Sequence, residues 1–155
     1  MSNNQELKEL FDQDQACRGE DTKIDWKIVS ANDSRRLNRI KELYSTQKLQ
    51  TGADYYHAAM ILQHGECPED YLLAHELCIV AICKGENRAK WLAAASEDRF
   101  LMHIGRPQRF ATQYRGDGNQ SPRLYEVDES VTDEIRREFG VRSLNEAREL
   151  EIKLR

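Results

Sequence analysis

The sequence lacks most of the features that would hold a small protein together covalently or carry it into a membrane. It has only 4 cysteines, at Cys17, Cys67, Cys78 and Cys83, and they form no CxxC pair. A disulfide framework or a zinc site is therefore not indicated. No apolar run approaches the roughly 18 residues that a membrane-spanning helix requires. The opening residues, MSNNQELKEL, show no signal-peptide pattern. These absences predict a cytoplasmic protein with reduced thiols.

The sequence also has no excess of positive charge. Charged residues make up 32% of the chain, and the formal net charge is −4. Nucleic acids and anionic membrane surfaces are bound mainly through basic faces. We therefore expect neither nucleic acid nor membrane as a partner. At 155 residues, the chain is long enough to form one domain with its own hydrophobic core.

Apolar residues recur at helical spacing along most of the chain, and strand patterns are weak. Residues 19–31 are predicted as a connection in which Ile24, Trp26, Ile28 and Val29 join the core. The predicted helices cover residues 4–18, 32–44, 53–64, 68–84, 86–104, 130–139 and 143–155. The short turn GECPE makes the third and fourth helices antiparallel neighbours.

Small and large residues alternate in this hairpin in a way that is similar to Sel1-like and tetratricopeptide repeats, but only about one and a half repeats are visible. We therefore predict an all-α fold, a compact bundle of five to seven helices built around the hairpin. It would be a single domain over residues 1–155. Its core would comprise residues 4–113, followed by a loop and two helices over residues 114–155.

Charged side chains interrupt the apolar faces of several predicted helices. Asp14 and Arg18 continue the buried stripe of the first helix at i,i+4 spacing, so they either form a solvated salt pair or point into a polar pocket. Arg99 lies on the apolar line of the fifth helix, where an unpaired charge is costly. It therefore requires a carboxylate, with Asp14, Asp33 and Glu76 as candidates, or the anion of a ligand.

Histidine supplies the candidate for acid–base chemistry. His64 ends the third helix beside Gln63, where it either interacts with the helix dipole or faces a cavity. A zinc motif would need two histidines at i,i+4, and the segment HELCI from His75 lacks the second one. The sequence therefore predicts no metal and no cofactor.

The segment GRPQRFATQ, residues 105–113, breaks the helical pattern but is crowded with hydrogen-bonding side chains. It is either a surface loop or the lip of a binding site. Read in order, DQDQACR, the QH and DR pairs, GRPQRFATQ and VDESVTDEIRREFGV resemble a family of small, uncharacterised, mostly bacterial proteins known only as a domain of unknown function. The matching positions are Asp14, Gln15, Arg18, Gln63, His64, Asp98, Arg99, Gly105, Pro107, Gln108, Thr112, Gln113, Asp133, Glu134 and Arg136.

The resemblance covers nearly the whole chain and implies that these polar groups belong to one site, but it implies no reaction. It also implies that the loop bonds to the Asp14–Arg18 end of the first helix and to the Gln63–His64 end of the third. At one position the chain departs from the family pattern, because Ala111 stands where the family has glycine. If the backbone there has a positive φ, alanine is strained by roughly 1 kcal/mol.

Three functions remain open, and whether the protein is an enzyme is not decided. The first is a site for a small anionic metabolite, with His64 as the catalytic acid or base. The second is a non-catalytic module that binds a protein partner through a groove around Tyr55, Tyr56 and Tyr71. The third is a polar core without a ligand. The first is preferred, with its ligand contacts at Asp14, Gln15, Arg18, Gln63, Arg99, Gln108, Thr112 and Gln113.

Overall fold

The computed structural model describes residues 1–19, 25–116 and 121–153. Over these residues it contains seven helices and one two-stranded sheet, in the order α1 (Gln5–Ala16), α2 (Trp26–Ser45), α3 (Gly52–Leu62), α4 (Pro68–Cys83), α5 (Ala89–His103), β1 (Tyr114–Arg115), β2 (Arg123–Leu124), α6 (Asp133–Glu138) and α7 (Leu144–Lys153). The strands pair antiparallel, with Tyr114 opposite Leu124. The predicted all-α bundle of five to seven helices is confirmed.

The hairpin of α3 and α4 is closed by a turn that requires glycine. A Cβ atom on Gly65 would lie 2.5 Å from the side chain of Asp70, which is closer than atoms can approach. Pro68 occupies the first turn of α4, where its missing N–H has no intrahelical partner to lose. These two residues bring the C-terminal end of α3 close to the start of α4.

The main core lies among α1 to α5, and α4 packs against both α3 and α5. Alanine is frequent at these contacts because a small side chain lets two helices approach closely. The alanines of this core that have no exposed surface are Ala58, Ala59, Ala74, Ala81, Ala89 and Ala93. The bulkier buried residues, including Leu7, Ile40 and Leu62, fill the remaining space.

A second, smaller core joins α5 to the C-terminal part of the chain. It consists of Ala94, Phe110, Val131 and Val141, with Phe139 packed against them. The rings of Phe110 and Phe139 have centroids 4.8 Å apart. The segment 105–113 is therefore anchored in an apolar cluster at Phe110.

The N-terminal ends of α1 and α3 are joined by one buried carboxylate. Asp54 accepts hydrogen bonds from the backbone N–H groups of Asn4 at 2.7 Å, Gln50 at 3.0 Å and Thr51 at 3.0 Å. Burial alone would raise the pKa of Asp54, but the backbone donors outweigh burial and lower it. Asp54 also forms a capping box with Thr51 at the start of α3.

The prediction of a connection over residues 19–31 was wrong from residue 26 onward. α2 begins at Trp26, and the side chain of Asp25 caps it by accepting hydrogen bonds from the first turn. Trp26 and Ile28 are 67% and 61% exposed, so they do not join the core, whereas Val29 is 6% exposed and does. Ile24 lies outside the described residues.

Candidate functional site

A cluster of charged side chains lies where the C-terminal ends of α1 and α3 meet α2. At its centre is Asp14, which has no exposed surface. Its carboxylate accepts hydrogen bonds from Arg18 at 2.8 Å and from Gln15 at 2.9 Å. The Nε2 atom of His64 lies 3.3 Å from the same carboxylate. The end of α1 is thereby held to the end of α3.

The surroundings of Asp14 keep its carboxyl group ionised. Burial alone would raise the pKa of Asp14, but the close contact and charge of His64, the charge of Arg18 and the Gln15 hydrogen bond together lower it. The contact of this carboxylate with Nε2 of His64 is an ion-pair distance without hydrogen-bond geometry, so its effect on the imidazole is electrostatic.

Two residues of α2 complete the cluster. Asp33 accepts a hydrogen bond from Arg18 at 2.6 Å and another from Arg36 at 2.7 Å. The Nε atom of Arg36 lies 3.7 Å from Asp14, so the two acids and two arginines alternate in space. Asp33 was predicted as a possible partner for Arg99, but its partners are Arg18 and Arg36. Arg36 was not predicted as a site residue, although it extends the inner stripe of Leu37 on α2.

Arg99 is partly buried, and it differs from Arg18 and Arg36 because it has no carboxylate partner among the described residues. Its guanidinium donates one hydrogen bond, to the main-chain carbonyl of Gln63 at 2.9 Å. Its Nε atom is buried without a partner, and no ion pair of Arg99 occurs among the described residues. Burial lowers the pKa of Arg99; Tyr71 opposes this, and the nearby charge of Arg18 lowers the pKa further. The Gln63 carbonyl is thus the one hydrogen-bond acceptor of the Arg99 side chain among the described residues, and Arg18 lies near enough for its charge to act on Arg99.

His64 lies between this cluster and an open cavity. Its side chain is 18% exposed, while its Nε2 atom is buried on the side of Asp14. The ring lines a cavity of about 290 Å³ between α2 and the turn from α3 to α4. A ligand in this cavity would therefore contact an imidazole whose far side is held by a buried carboxylate.

The segment 105–113 forms a second polar cluster, organised by Asp98. This carboxylate has no exposed surface and accepts four hydrogen bonds. The donors are the backbone N–H groups of Arg109 at 2.7 Å, Phe110 at 2.9 Å and Thr112 at 3.0 Å, and the hydroxyl of Thr112 at 2.7 Å. Burial raises the pKa of Asp98, and these donors oppose the shift.

Gln108 is the second anchor of this segment. Its side-chain Nε2 donates to the carbonyls of Gln113 at 3.0 Å and Tyr125 at 2.9 Å, and its Oε1 accepts from the N–H of Gln113 at 2.9 Å. The side chain of Gln113 in turn donates to the hydroxyl of Thr112 at 3.0 Å. The fully buried Arg136 donates to the carbonyl of Arg109 at 2.9 Å. The amide groups of Gln108 and Gln113 are thus used within the protein, whereas Nε and Nη1 of Arg136 are buried without a hydrogen-bond partner.

The backbone of Ala111 has a positive φ. This residue stands where the family pattern has glycine. Its φ is 58°, in the left-handed region. A residue with a Cβ atom is disfavoured there by roughly 1–2 kcal/mol, whereas glycine is not. The four hydrogen bonds to Asp98 on either side of Ala111 hold the backbone in this conformation.

The structure thus divides the predicted site residues into two groups. One contains Asp14, Gln15, Arg18, Gln63, His64 and Arg99. The other contains Gln108, Thr112 and Gln113, whose hydrogen bonds go to Asp98, to one another and to residues 125–128. The loop was expected to bond to the ends of α1 and α3. Its bonds go to α5 and the C-terminal segment, since Asp98 and Arg99 are about 100° apart on one helix and so face different neighbours.

The tyrosine groove expected for a protein-interaction module is interrupted at Tyr71. This residue is buried, and its hydroxyl donates to the carbonyl of Gly65. Tyr55 and Tyr56 are half-buried, and their rings are contacted by the cationic groups of Lys84 and Arg88 at 5.8 Å and 4.8 Å from the ring centroids. These rings therefore do not form one continuous exposed surface.

Within residues 1–19, 25–116 and 121–153, no group of three or more histidine, cysteine or acidic side chains is placed to hold a metal ion. No helix in that part of the chain is long and apolar enough to cross a bilayer.

Comparison of the chain with protein-family models, with curated proteins and with solved structures finds no significant match. The family resemblance therefore stays a prediction, and function has to be argued from the geometry of the two clusters.

Proposed function

We propose that the protein binds a small anionic ligand between Arg18 and Arg99, next to His64. The observation that carries the proposal is the unpaired guanidinium of Arg99, which lacks a carboxylate among the described residues. Arg99 is partly buried, with its Nε removed from water, and an arginine whose charge is desolvated without a counter-ion destabilises the folded state. A bound carboxylate or phosphate would supply the missing partner, and guanidinium groups bind both with paired hydrogen bonds.

His64 is the candidate for proton transfer at this site. Its Nε2 atom lies 3.3 Å from the ionised carboxylate of Asp14, which favours a proton on Nε2. In a neutral imidazole, donation from Nε2 leaves Nδ1 as an acceptor. Nδ1 would then accept a proton from a bound ligand and later return it, which is the role of a general base.

The 105–113 segment has a positioning role in this proposal. Gln108, Thr112 and Gln113 form hydrogen bonds within the protein and hold the segment on Asp98. Asp98 precedes Arg99 on α5. The hydrogen bonds of Asp98 to the 105–113 segment therefore restrain rotation of α5 about its axis, and this rotation sets the direction in which Arg99 points. These residues therefore support the site without contacting the ligand.

Thermal-shift measurements with carboxylates and phosphate esters test the anion site. We compare the wild type with Arg99→Met, which removes the charge but keeps a long side chain, and with Arg106→Met, a matched change at an exposed arginine. A ligand present at 100 times its Kd stabilises the fold by about 2.7 kcal/mol. For a chain of this length that is a rise in Tm of about 5–10 °C. The rise should persist in Arg106→Met and vanish in Arg99→Met.

The stability of ligand-free Arg99→Met separates a binding site from a polar core. If Arg99 serves a ligand, removing its unpaired charge should leave the Tm unchanged or raise it. If Arg99 holds the fold through the Gln63 carbonyl, the variant should melt several degrees lower. A lower Tm together with no anion response in the wild type would reject the proposal.

A second candidate function is a protein-interaction surface on the outer side of α4 and α5. Leu72 and Ile79, which share one face of α4, and Trp91 on α5 are large apolar residues with exposed surface. Isolated exposed apolar residues are common, but neighbouring ones mark contact sites. Sedimentation velocity over a wide concentration range would detect self-association through this surface, and Ile79→Lys should abolish it.

A further inference from the structure

The cavity beside His64 is separate from the proposed anion site, because neither Arg18 nor Arg99 lines it. Its volume is about 290 Å³, equal to that of about ten water molecules in the liquid. Its α2 wall presents side chains at four-residue spacing, so that they lie in rows along one face of the helix. Three of them are apolar and three are neutral and polar, namely Trp26, Val29, Leu37, Ser30, Ser34 and Asn38.

The charged groups that line this cavity are predominantly acidic. They are Asp33, Glu66 and Asp70, and no lysine or arginine side chain lines it among the described residues. Asp33 is paired with two arginines, and Asp70 is paired with Lys41 at 2.5 Å. Glu66 is exposed and forms no ion pair within the described ranges. It therefore supplies a negative charge that no protein group compensates.

The cavity and the anion site meet at His64. Arg18 donates to Asp33, a residue of the cavity wall, at 2.6 Å. Arg99 donates to the carbonyl of Gln63, the residue before His64, at 2.9 Å. The wall of the cavity therefore adjoins both arginines, at Asp33 and at the Gln63–His64 end of α3.

We propose that the ligand is a small zwitterion whose anionic group binds Arg18 and Arg99 and whose primary ammonium group enters the cavity and pairs with Glu66. This inference rests on the proposed anion site. An ammonium group has three donors, and the oxygen atoms of Ser30, Ser34 and Asn38 line the same cavity as acceptors. The exposed indole of Trp26 offers a π face that favours a cation over a neutral group.

Isothermal titration calorimetry with three matched probe series tests this inference. The series are straight-chain carboxylates, the ω-amino carboxylates of the same lengths, and the alkylamines of the same lengths. The proteins are the wild type, Glu66→Gln and Glu69→Gln. Glu69 is an exposed glutamate of α4 that does not line the cavity, so its substitution is the matched control.

The wild type should bind the best ω-amino carboxylate about tenfold or more tightly than the carboxylate of equal length, as expected for one charge-assisted contact. That ratio should fall close to one in Glu66→Gln and remain in Glu69→Gln. The zwitterion proposal would be overturned if carboxylates bound equally well with and without the amine, or if the preference for the amine survived in Glu66→Gln. Either result would leave the anion site intact.

The amine series distinguishes the remaining cases. Alkylamines that bind in a Glu66-dependent way, while carboxylates do not bind, would refute the anion site and with it the zwitterion, leaving only a cation pocket. No binding in any series would refute both proposals.

Discussion

Replacing Asp98 with asparagine should be one of the most damaging conservative changes in this protein. Each carboxylate oxygen of Asp98 accepts two hydrogen bonds, one oxygen from the N–H groups of Arg109 and Phe110, and the other from the N–H and hydroxyl of Thr112. Asparagine keeps one acceptor oxygen and places an NH2 group against the other pair of donors. The hydroxyl of Thr112 can rotate to accept from that NH2 group, but a backbone N–H cannot.

The expected loss of stability follows from the hydrogen-bond donors that asparagine leaves without an acceptor. One buried N–H without an acceptor destabilises the fold by about 1–3 kcal/mol, and hydrogen bonds to a charged acceptor are stronger than those to a neutral one by about 0.5–1 kcal/mol each. The relief of desolvation in the neutral side chain offsets part of this loss. We expect Asp98→Asn to lower the free energy of unfolding by about 2–4 kcal/mol, which lowers the Tm by about 5–15 °C for a chain of this length.

Urea denaturation followed by circular dichroism measures this change, with an unchanged m-value as evidence that the comparison is valid. The control is Asp128→Asn, which alters another carboxylate that contacts Arg109, at 3.2 Å, but is 41% exposed. Its midpoint should stay close to that of the wild type. If Asp98→Asn unfolds at the wild-type midpoint, or if both variants lose the same stability, the role assigned to the Asp98 hydrogen bonds is incorrect.

Three further predictions concern the same anchors and the acidic groups. Gln108→Glu should destabilise the fold by at least about 2 kcal/mol in the same assay, because it places a carboxylate against the carbonyls of Gln113 and Tyr125; a wild-type midpoint would contradict the assigned donors. Ala111→Gly should raise the free energy of unfolding by less than about 1 kcal/mol. Glycine relieves the strain at the φ of 58°, and this gain only slightly exceeds the backbone entropy that glycine loses on folding. A clear loss of stability would show that the packing of the methyl group outweighs the backbone strain. The lowered pKa of Asp54 means that its stabilisation is fully present above the usual value of 3.8 and is lost as pH falls through the folded-state pKa. The wild-type Tm should therefore drop in that acidic range, and the drop should be shallower in Asp54→Asn; equal slopes would rule out this carboxylate as a source.

The fold class could be predicted because the signals that produce it are local. Apolar spacing, Pro68 at the start of α4 and the glycines that follow α4 and α5 each act within a few residues. Gly85 and Gly105 do adopt positive φ, at 86° and 73°, as expected for residues that end helices. The start of α2 was missed, because Trp26 was interpreted by its hydrophobicity and not by the Asp25 cap before it.

Several of the buried polar residues could also be predicted from the sequence, because charges on apolar helix faces need partners. The partner of each residue could not be predicted. Asp98 and Arg99 are adjacent in the chain, yet one binds the 105–113 segment and the other binds the end of α3. Helical rotation separates them, but the direction that each faces depends on how α5 packs.

The sequence by itself therefore determined the all-α class and part of the set of buried charges, including Asp14 and Asp98 but not Arg36 or Asp54, whereas only the tertiary structure decided how those charges are grouped. Asp14 lies 3.3 Å from His64 across 50 residues of chain, and Arg99 is left without a carboxylate. Distances of this kind are set by the packing of α1, α2 and α5 around the α3–α4 hairpin. Local periodicity records which face of a helix is buried, but it carries no information about which residue of another helix lies opposite.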